Sequence, residues 1–453
     1  MSRRFRNSVQ LSPIIIAFIT TVVLMAILVF GALISMKIYK RIDLTITKRH
    51  SLSEQTIKAL GALREDIKAV GFYTPAHNEK EKTVSLLKLF SDTSERFNFE
   101  IVNPERNPGR TRRYGKIVTG TVVVESGVRW EKVNKPDETS LLNAILRISH
   151  EEKKNIFFIQ GHGEKDPEDE GTSGLRRAHY VLDSLGYNIF GLNLIKTSKV
   201  PPEANITVIA GPKKDFFIEE LKGLEFYLNE GGALLVLVDP HNLPNFSLFI
   251  RSLGVVLGRG VIVDKSKRLS GSDMVVTIVD QYSTHEIAGE VEAVSLFPLS
   301  RSVEPMGLKN PDIALSPIAR TDDAAWEETD IAALFGRGIA EYDDLNDRRG
   351  PVTIALAGEF RSTGARFVII GDSDFATNAY FDQGANGDIF VNSVLWLNRE
   401  KDLIASRPID REFYPIVLTN QQLTFLFWIV VVLLPAATLV TGVLVIRRVR
   451  WRG

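Results

Sequence analysis

The sequence predicts an α/β protein in which a small thioredoxin-like α/β unit precedes a doubly wound parallel-sheet domain, the pair flanked by two transmembrane helices. Three observations predict it. From about residue 153 onward, long apolar strands ending in small or acidic residues alternate with amphipathic helices. Before them, residues 41–150 follow a strand–helix–strand–strand–strand–helix order. Each end of the chain carries a run of 24 residues without one charged side chain, Pro13–Met36 and Leu423–Ile446.

At about 1.5 Å per residue each run reaches about 36 Å, enough to cross a hydrocarbon core of about 30 Å. Both offer only Ser, Thr and Gly as polar residues, whereas a soluble helix carries a polar face. Pro435 inside the second run is tolerable where neighbouring groups satisfy the freed backbone. The first run is longer than a typical signal-peptide core of about 7–15 residues and no A-x-A-like site follows, so it reads as an uncleaved anchor.

Basic residues set the expected orientation. Arg3, Arg4 and Arg6 lie in the tail 1–12, and Arg447, Arg448, Arg450 and Arg452 in the tail 447–453. Neither tail has an acid, so both are expected in the cytoplasm of a bacterial inner membrane, with the body periplasmic. Lys37, Lys40, Arg41, Lys48 and Arg49 oppose this, but long domains translocate largely regardless of such charges. The tails take seven of the 55 basic residues and none of the 55 acidic ones, leaving the body with an acidic excess of seven. That argues against nucleic acid as a partner. With no cysteine there are no disulfides, thiolate ligands or thiol chemistry.

In the small unit, Ser51 to Glu54 has capping-box spacing, and Ile57, Leu60 and Leu63 recur on one helical face. A strand is expected at Asp66–Tyr73, ended by Thr74-Pro75, then a helix carrying Val84, Leu87 and Phe90. Strands at Phe97–Val102, Gly120–Glu125 and Val128–Val133 follow, then a helix with Leu141, Ile145 and Ile148 on one side.

In the domain spanning 153–400, Asn155–Gln160 leads into Gly161-His162-Gly163-Glu164, and Asn205–Ala210 into Gly211-Pro212-Lys213-Lys214-Asp215. A helix with Phe217, Leu221, Leu224 and Leu228 on one face ends at Gly231-Gly232, before Ala233–Val238 and Asp239-Pro240-His241. Arg366–Ile370 leads into Gly371-Asp372-Ser373-Asp374. Residues 265–350 are more polar and read as an insertion.

Ligands of a doubly wound sheet bind outside the carboxyl ends of its strands. His162, Glu164, Asp239, Asp372 and Asp374 are therefore expected to share that edge and are the candidate binding residues, with His241 nearby. Imidazoles and carboxylates on converging loops can hold a polar ligand or a cation. The same residue types routinely cap helices and turns, and both readings stay open. Several catalytic arrangements are excluded. Gly371-Asp-Ser-Asp-Phe375 has Phe where a nucleophile elbow needs its second glycine, and no histidine follows Ser373. Gly161-His-Gly163 has Asp166 at the third glycine position of a dinucleotide fingerprint, and no phosphate-binding loop occurs. No cofactor is expected, and any energy must come from another subunit.

Several segments together resemble a known family. They are Leu52-Ser53-Glu-Gln-Thr56, Asn103-Pro104 with Tyr114-Gly115, Thr139–Ile145, Gly161-His-Gly-Glu164, Gly211-Pro212-Lys213, Gly231 through Pro240 and Gly371 through Phe375. The ordered set, covering about residues 40–400, resembles the GldG family, auxiliary components of ABC-type transport systems first associated with gliding motility. The resemblance implies a flavodoxin- or amidotransferase-like fold without the catalytic cysteine. It also implies an ABC permease and a P-loop ATPase as partners. Two spans are too few for a transport pathway, unlike relatives with a fused multi-span permease. The resemblance supplies no catalytic residues.

Two functions follow for testing. One is a non-enzymatic accessory subunit, as a homo- or hetero-oligomer, beside an ABC permease and ATPase in the lipid bilayer. The other is a membrane-tethered hydrolase or glycan-processing enzyme using the strand-end His and carboxylates.

Overall fold

The computed structural model describes residues 52–149, 154–265, 267, 274–289, 291, 293–307, 310–400, 425, 427–440 and 442. The first apolar run and both basic tails lie outside the described residues. Within the second run, 427–440 is helical, with a π-helical stretch at Trp428–Leu433 and side chains that are mostly exposed. Among the described residues no helix is long and apolar enough to cross a membrane.

The small sheet holds β1 (Ile67–Phe72), β2 (Phe97–Val102), β3 (Thr121–Ser126) and β4 (Arg129–Val133) in the order β2-β1-β3-β4. β1 and β2 are parallel; β3 runs antiparallel to both β1 and β4. The element order read from the sequence is present. The first helix, Glu54–Gly61, is capped by Ser53, whose hydroxyl accepts from the Thr56 amide; Ser51 lies outside the described residues. Ala59 and Leu60 are buried while Ile57 is exposed, so the buried face is rotated from the one the spacing suggests.

Side-chain alternation divides this sheet. Ala69, Phe97, Val122 and Val124 pack under helices on one face. On the other, Val70, Phe72, Val102 and Val123 are covered by Tyr114 and Ile117 from the β2–β3 connection. The helix Glu138–Ser149 joins the small sheet to the large one. Leu141, Ala144, Ile145 and Ile148 belong to the small core, and Leu142 and Leu146 to the large one. Burying each of those two leucines is worth about 1.5–3 kcal/mol.

The large sheet has eight strands: β5 (Asn155–Ile159), β6 (Asn188–Leu192), β7 (Ala204–Ala210), β8 (Ala233–Leu237), β12 (Gln281–Tyr282), β15 (Ile313–Arg320), β18 (Thr353–Phe360) and β19 (Arg366–Ile370). The shorter strands β9 (Val255–Leu257), β10 (Val261–Val263), β11 (Val276–Val279), β13 (Ser295–Pro298), β14 (Val303–Pro305), β16 (Trp326–Glu328) and β17 (Arg348–Arg349) form small sheets beside it. The order is β12-β15-β18-β19-β8-β7-β5-β6. β6, β5, β7, β8 and β19 are mutually parallel. β18, β15 and β12 then alternate in direction.

The all-parallel sheet expected from the sequence is therefore corrected to a mixed one. β12 and β15 come from the stretch read as an insertion and complete the sheet. The parallel half does behave as its composition requires. Phe158, Val208, Leu235 and Val368 face one core, and Phe157, Ile209, Leu234 and Ile369 the other. Both faces are buried, which is why these strands read as continuous apolar runs.

Candidate functional site

The chain leaves β5 for β6 on one side and returns to β7 on the other, so the strand order reverses between β5 and β7 while the strands stay parallel. Loops after β5 and β7 meet there. The Lys165 amide donates to the Ala210 carbonyl at 2.8 Å, and the Lys213 and Lys214 amides both donate to the His162 carbonyl at 2.9 Å. These backbone bonds bring the two loops together where an open crevice is expected.

His162 is buried and stacks on Phe216 with ring centroids 4.0 Å apart. Its Nδ1 lies 3.0 Å from Glu164 Oε1 and its Nε2 lies 3.1 Å from Glu220 Oε2. Glu164 Oε2 also accepts from the His162 amide, and Glu220 Oε2 from the Phe217 amide at the start of the helix Ile218–Asn229. Burial pulls the imidazole pKa down, but the hydrogen bonds and charges of Glu164 and Glu220 outweigh it and hold it above the usual 6.5. Held between two carboxylates, His162 ties the β5 loop to that helix start. All three side chains are at most 3% exposed, so the sequence-selected pair His162 and Glu164 faces inward.

A second cluster joins β7, β8 and β19. The Ser373 amide and hydroxyl donate to the two Asp239 carboxylate oxygens, each at 2.7 Å. Gly211 lies beneath this contact at φ +66°; a Cβ there would stand 2.4 Å from the Ser373 hydroxyl and 3.0 Å from Asp239 Oδ2. Asp374 receives Lys165 Nζ at 2.6 Å, and its own amide donates to Asp372 Oδ1 at 2.7 Å. Asp372 is fully buried, with Oδ2 lacking a hydrogen-bond partner. Burial, then the charges of Asp239 and Asp374, push its pKa well above the usual carboxylate range. Both causes favour the protonated form of Asp372.

Arg301 closes the cluster from the segment between β13 and β14. Its Nη1 donates to the carbonyls of Asp239 and His241 at 2.9 and 3.2 Å, and its Nη2 to that of Gly258. Burial lowers its pKa to about 10 against the raising charges of Glu327 and Asp239.

The five sequence-selected residues thus follow parallel strands β5, β8 and β19 and lie along one sheet edge, in two adjoining clusters. His162 and Glu164 form one with Glu220; Asp239, Asp372 and Asp374 form the other with Ser373 and Lys165. The His241 side chain is exposed, and only its backbone takes part. Sequence reasoning missed Glu220, Lys165 and Arg301. Lys165, directly after Glu164, was the visible signal; Glu220 and Arg301 arrive from 58 and 62 residues away from their partners. Among the described residues no group of three His, Asp or Glu side chains is arranged to hold a metal ion. The carboxylates are engaged by internal donors, and Asp374, at 30% side-chain exposure, is the most open of the paired ones.

Residues 153–251 match the family described as an ABC-type uncharacterized transport system. That span holds β5 to β8, the loops of the His162 cluster and Asp239. No curated protein matches the chain. Among solved structures, the N-terminal domain of mmIFT52 is 17% identical, with a TM-score of 0.42, covering 54% of this chain and 97% of that one. A putative ThuA-like protein from Bacteroides uniformis is 15% identical, with a TM-score of 0.34, covering 54% and 91%. A second, from Parabacteroides merdae, is 7% identical, with a TM-score of 0.37, covering 59% and 97%.

Proposed function

We propose that the chain is a membrane-anchored, non-enzymatic auxiliary subunit of a GldG-like ABC-type transport system, its α/β body held outside the cytoplasm beside a separate permease and ATPase. The observation that carries it is the family match over residues 153–251, which falls on the parallel half of the large sheet and its strand-end loops. Three further features support it. The two uncharged 24-residue runs are flanked by basic tails without acids. No phosphate-binding loop occurs in the sequence. The strand-end carboxylates are spent on Lys165, Ser373, His162 and backbone amides, which favours a structural edge over a hydrolytic centre.

Topology tests the anchoring. Reporter fusions at the C-terminus and after Asp215 should place the first in the cytoplasm and the second outside; an Asp215 fusion active only in the cytoplasm overturns the orientation. Purified chain should hydrolyse no ATP by itself, and robust magnesium-dependent turnover by a preparation free of other subunits contradicts the subunit role.

A further inference from the structure

The small sheet's second face is covered by residues 103–118, a connection that includes the short helix Pro108–Arg112 and is unusually basic. Arg106, Arg110, Arg112, Arg113 and Lys116 fall within it, and Lys132 of β4 lies against it, its Nζ donating to the Lys116 carbonyl at 3.3 Å. Arg110 and Arg113 spend part of their charge on Glu100 and Glu125. Arg106, Arg112 and Lys116 are exposed and reach no carboxylate among the described residues. Six basic side chains therefore stand against Glu100, Glu105 and Glu125, on a body with an acidic excess of seven.

Aromatic and aliphatic groups are interleaved with these charges. Tyr114 anchors the segment, its ring 5.9 Å from Phe72 and 5.7 Å from Trp130. Arg113 lies over Tyr114 at 5.5 Å, and Lys132 over Trp130 at 5.4 Å. Trp130 remains 39% exposed and Val118 61% exposed. An amphipathic ring beside flexible cations is the combination that settles at a headgroup boundary, its apolar part among acyl chains and the charges at the phosphates. Only 17 residues separate the first apolar run from the helix starting at Glu54. Fully extended they span at most about 60 Å, which bounds how far the start of that helix can stand from an anchor formed by the run.

We propose that this face, with Arg106, Arg112, Lys116 and Trp130 at its surface, is a docking surface for the headgroups of anionic phospholipids. It rests on the membrane-anchored reading above. Docking orients the small sheet against the bilayer and thereby fixes the height and tilt of the large sheet that follows it.

The chain has no cysteine, so Val118→Cys introduces a single site for an environment-sensitive dye. The labelled full chain is reconstituted in nanodiscs of phosphatidylcholine, alone or mixed with phosphatidylglycerol. Blue-shifted emission and quenching by spin-labelled lipid are expected only in the anionic discs. Both should vanish when added salt shortens the screening length from about 10 Å to about 3 Å. The combined variant Arg106→Glu, Arg112→Glu, Lys116→Glu should lower the docked fraction on the order of a hundredfold. If that variant melts early, Arg112→Gln with Lys116→Gln serves instead and should show a graded loss. Equal signals in both disc types, or signals untouched by salt and charge removal, overturn the proposal. A signal that appears only when permease and ATPase are co-reconstituted overturns it in favour of an acidic protein surface. A full chain that stays in water without detergent rejects the anchoring instead. Co-sedimentation of that chain with phosphatidylglycerol vesicles then tests the face directly, and failure to sediment refutes it.

Discussion

Replacing His162 with alanine removes the shared partner of two buried carboxylates. Glu164 and Glu220 have side chains 1% and 3% exposed, and His162 stands 3.0 and 3.1 Å from them. Removing the imidazole breaks both buried contacts and leaves the two carboxylates without their shared partner, which costs about 3–5 kcal/mol. Loss of the Phe216 stack acts in the same direction. For a domain of this size the midpoint should fall by about 10 °C. The assay is thermal unfolding of wild type and variant, followed by circular dichroism. Its pH dependence carries a sign. The imidazole pKa is raised on folding, so its contribution is fully present below the unfolded value of about 6.5 and is lost as pH rises through the folded value. The gap between wild type and His162→Ala should therefore be widest at mildly acidic pH and narrow toward alkaline pH. A loss within about 1 kcal/mol, as for an ordinary surface change, or a gap that widens with pH, would refute the structural role.

Other substitutions test the second cluster. Asp372 has a folded pKa raised well above 3.8, so ionising it opposes folding as pH climbs from that value through the folded one; Asp372→Asn should gain stability relative to wild type across that range in denaturant titrations. Gly211→Ala forces a Cβ toward the Ser373 hydroxyl at positive φ and should cost at least about 1–2 kcal/mol by chemical denaturation. Gly61, the last residue of the first helix, has open space at its Cβ position and no positive φ, so Gly61→Ala should instead stabilise by about 0.4–1 kcal/mol in the same assay.

The parallel strands were legible because burial on both faces writes itself as an unbroken apolar run. NIFFI, ALLVL and RFVII could be placed within a residue of their observed limits. The antiparallel half was not legible. β15 contains Ser316 and Pro317, and proline ordinarily demotes a strand; a shift of register between Pro317 and Ala319 accommodates it here. β18 contains Gly358, where a Cβ would stand 2.1 Å from the Phe367 ring, so a weak strand former sits where the cross-strand aromatic needs space. At the strand ends, polar types identified the edge. Whether they bind outward or tie inward depended on Glu220 and Arg301, which reach the cluster through folding and leave no local pattern.

The central claim is that this chain works as a subunit of an ABC-type transport system. Its most direct test is purification of the tagged full chain in mild detergent, with mass-spectrometric identification and stoichiometry of whatever co-purifies. A P-loop ATPase and a multi-span permease are expected in fixed ratio to the chain, surviving size exclusion. A chain that elutes alone under conditions that keep other ABC complexes intact would contradict it.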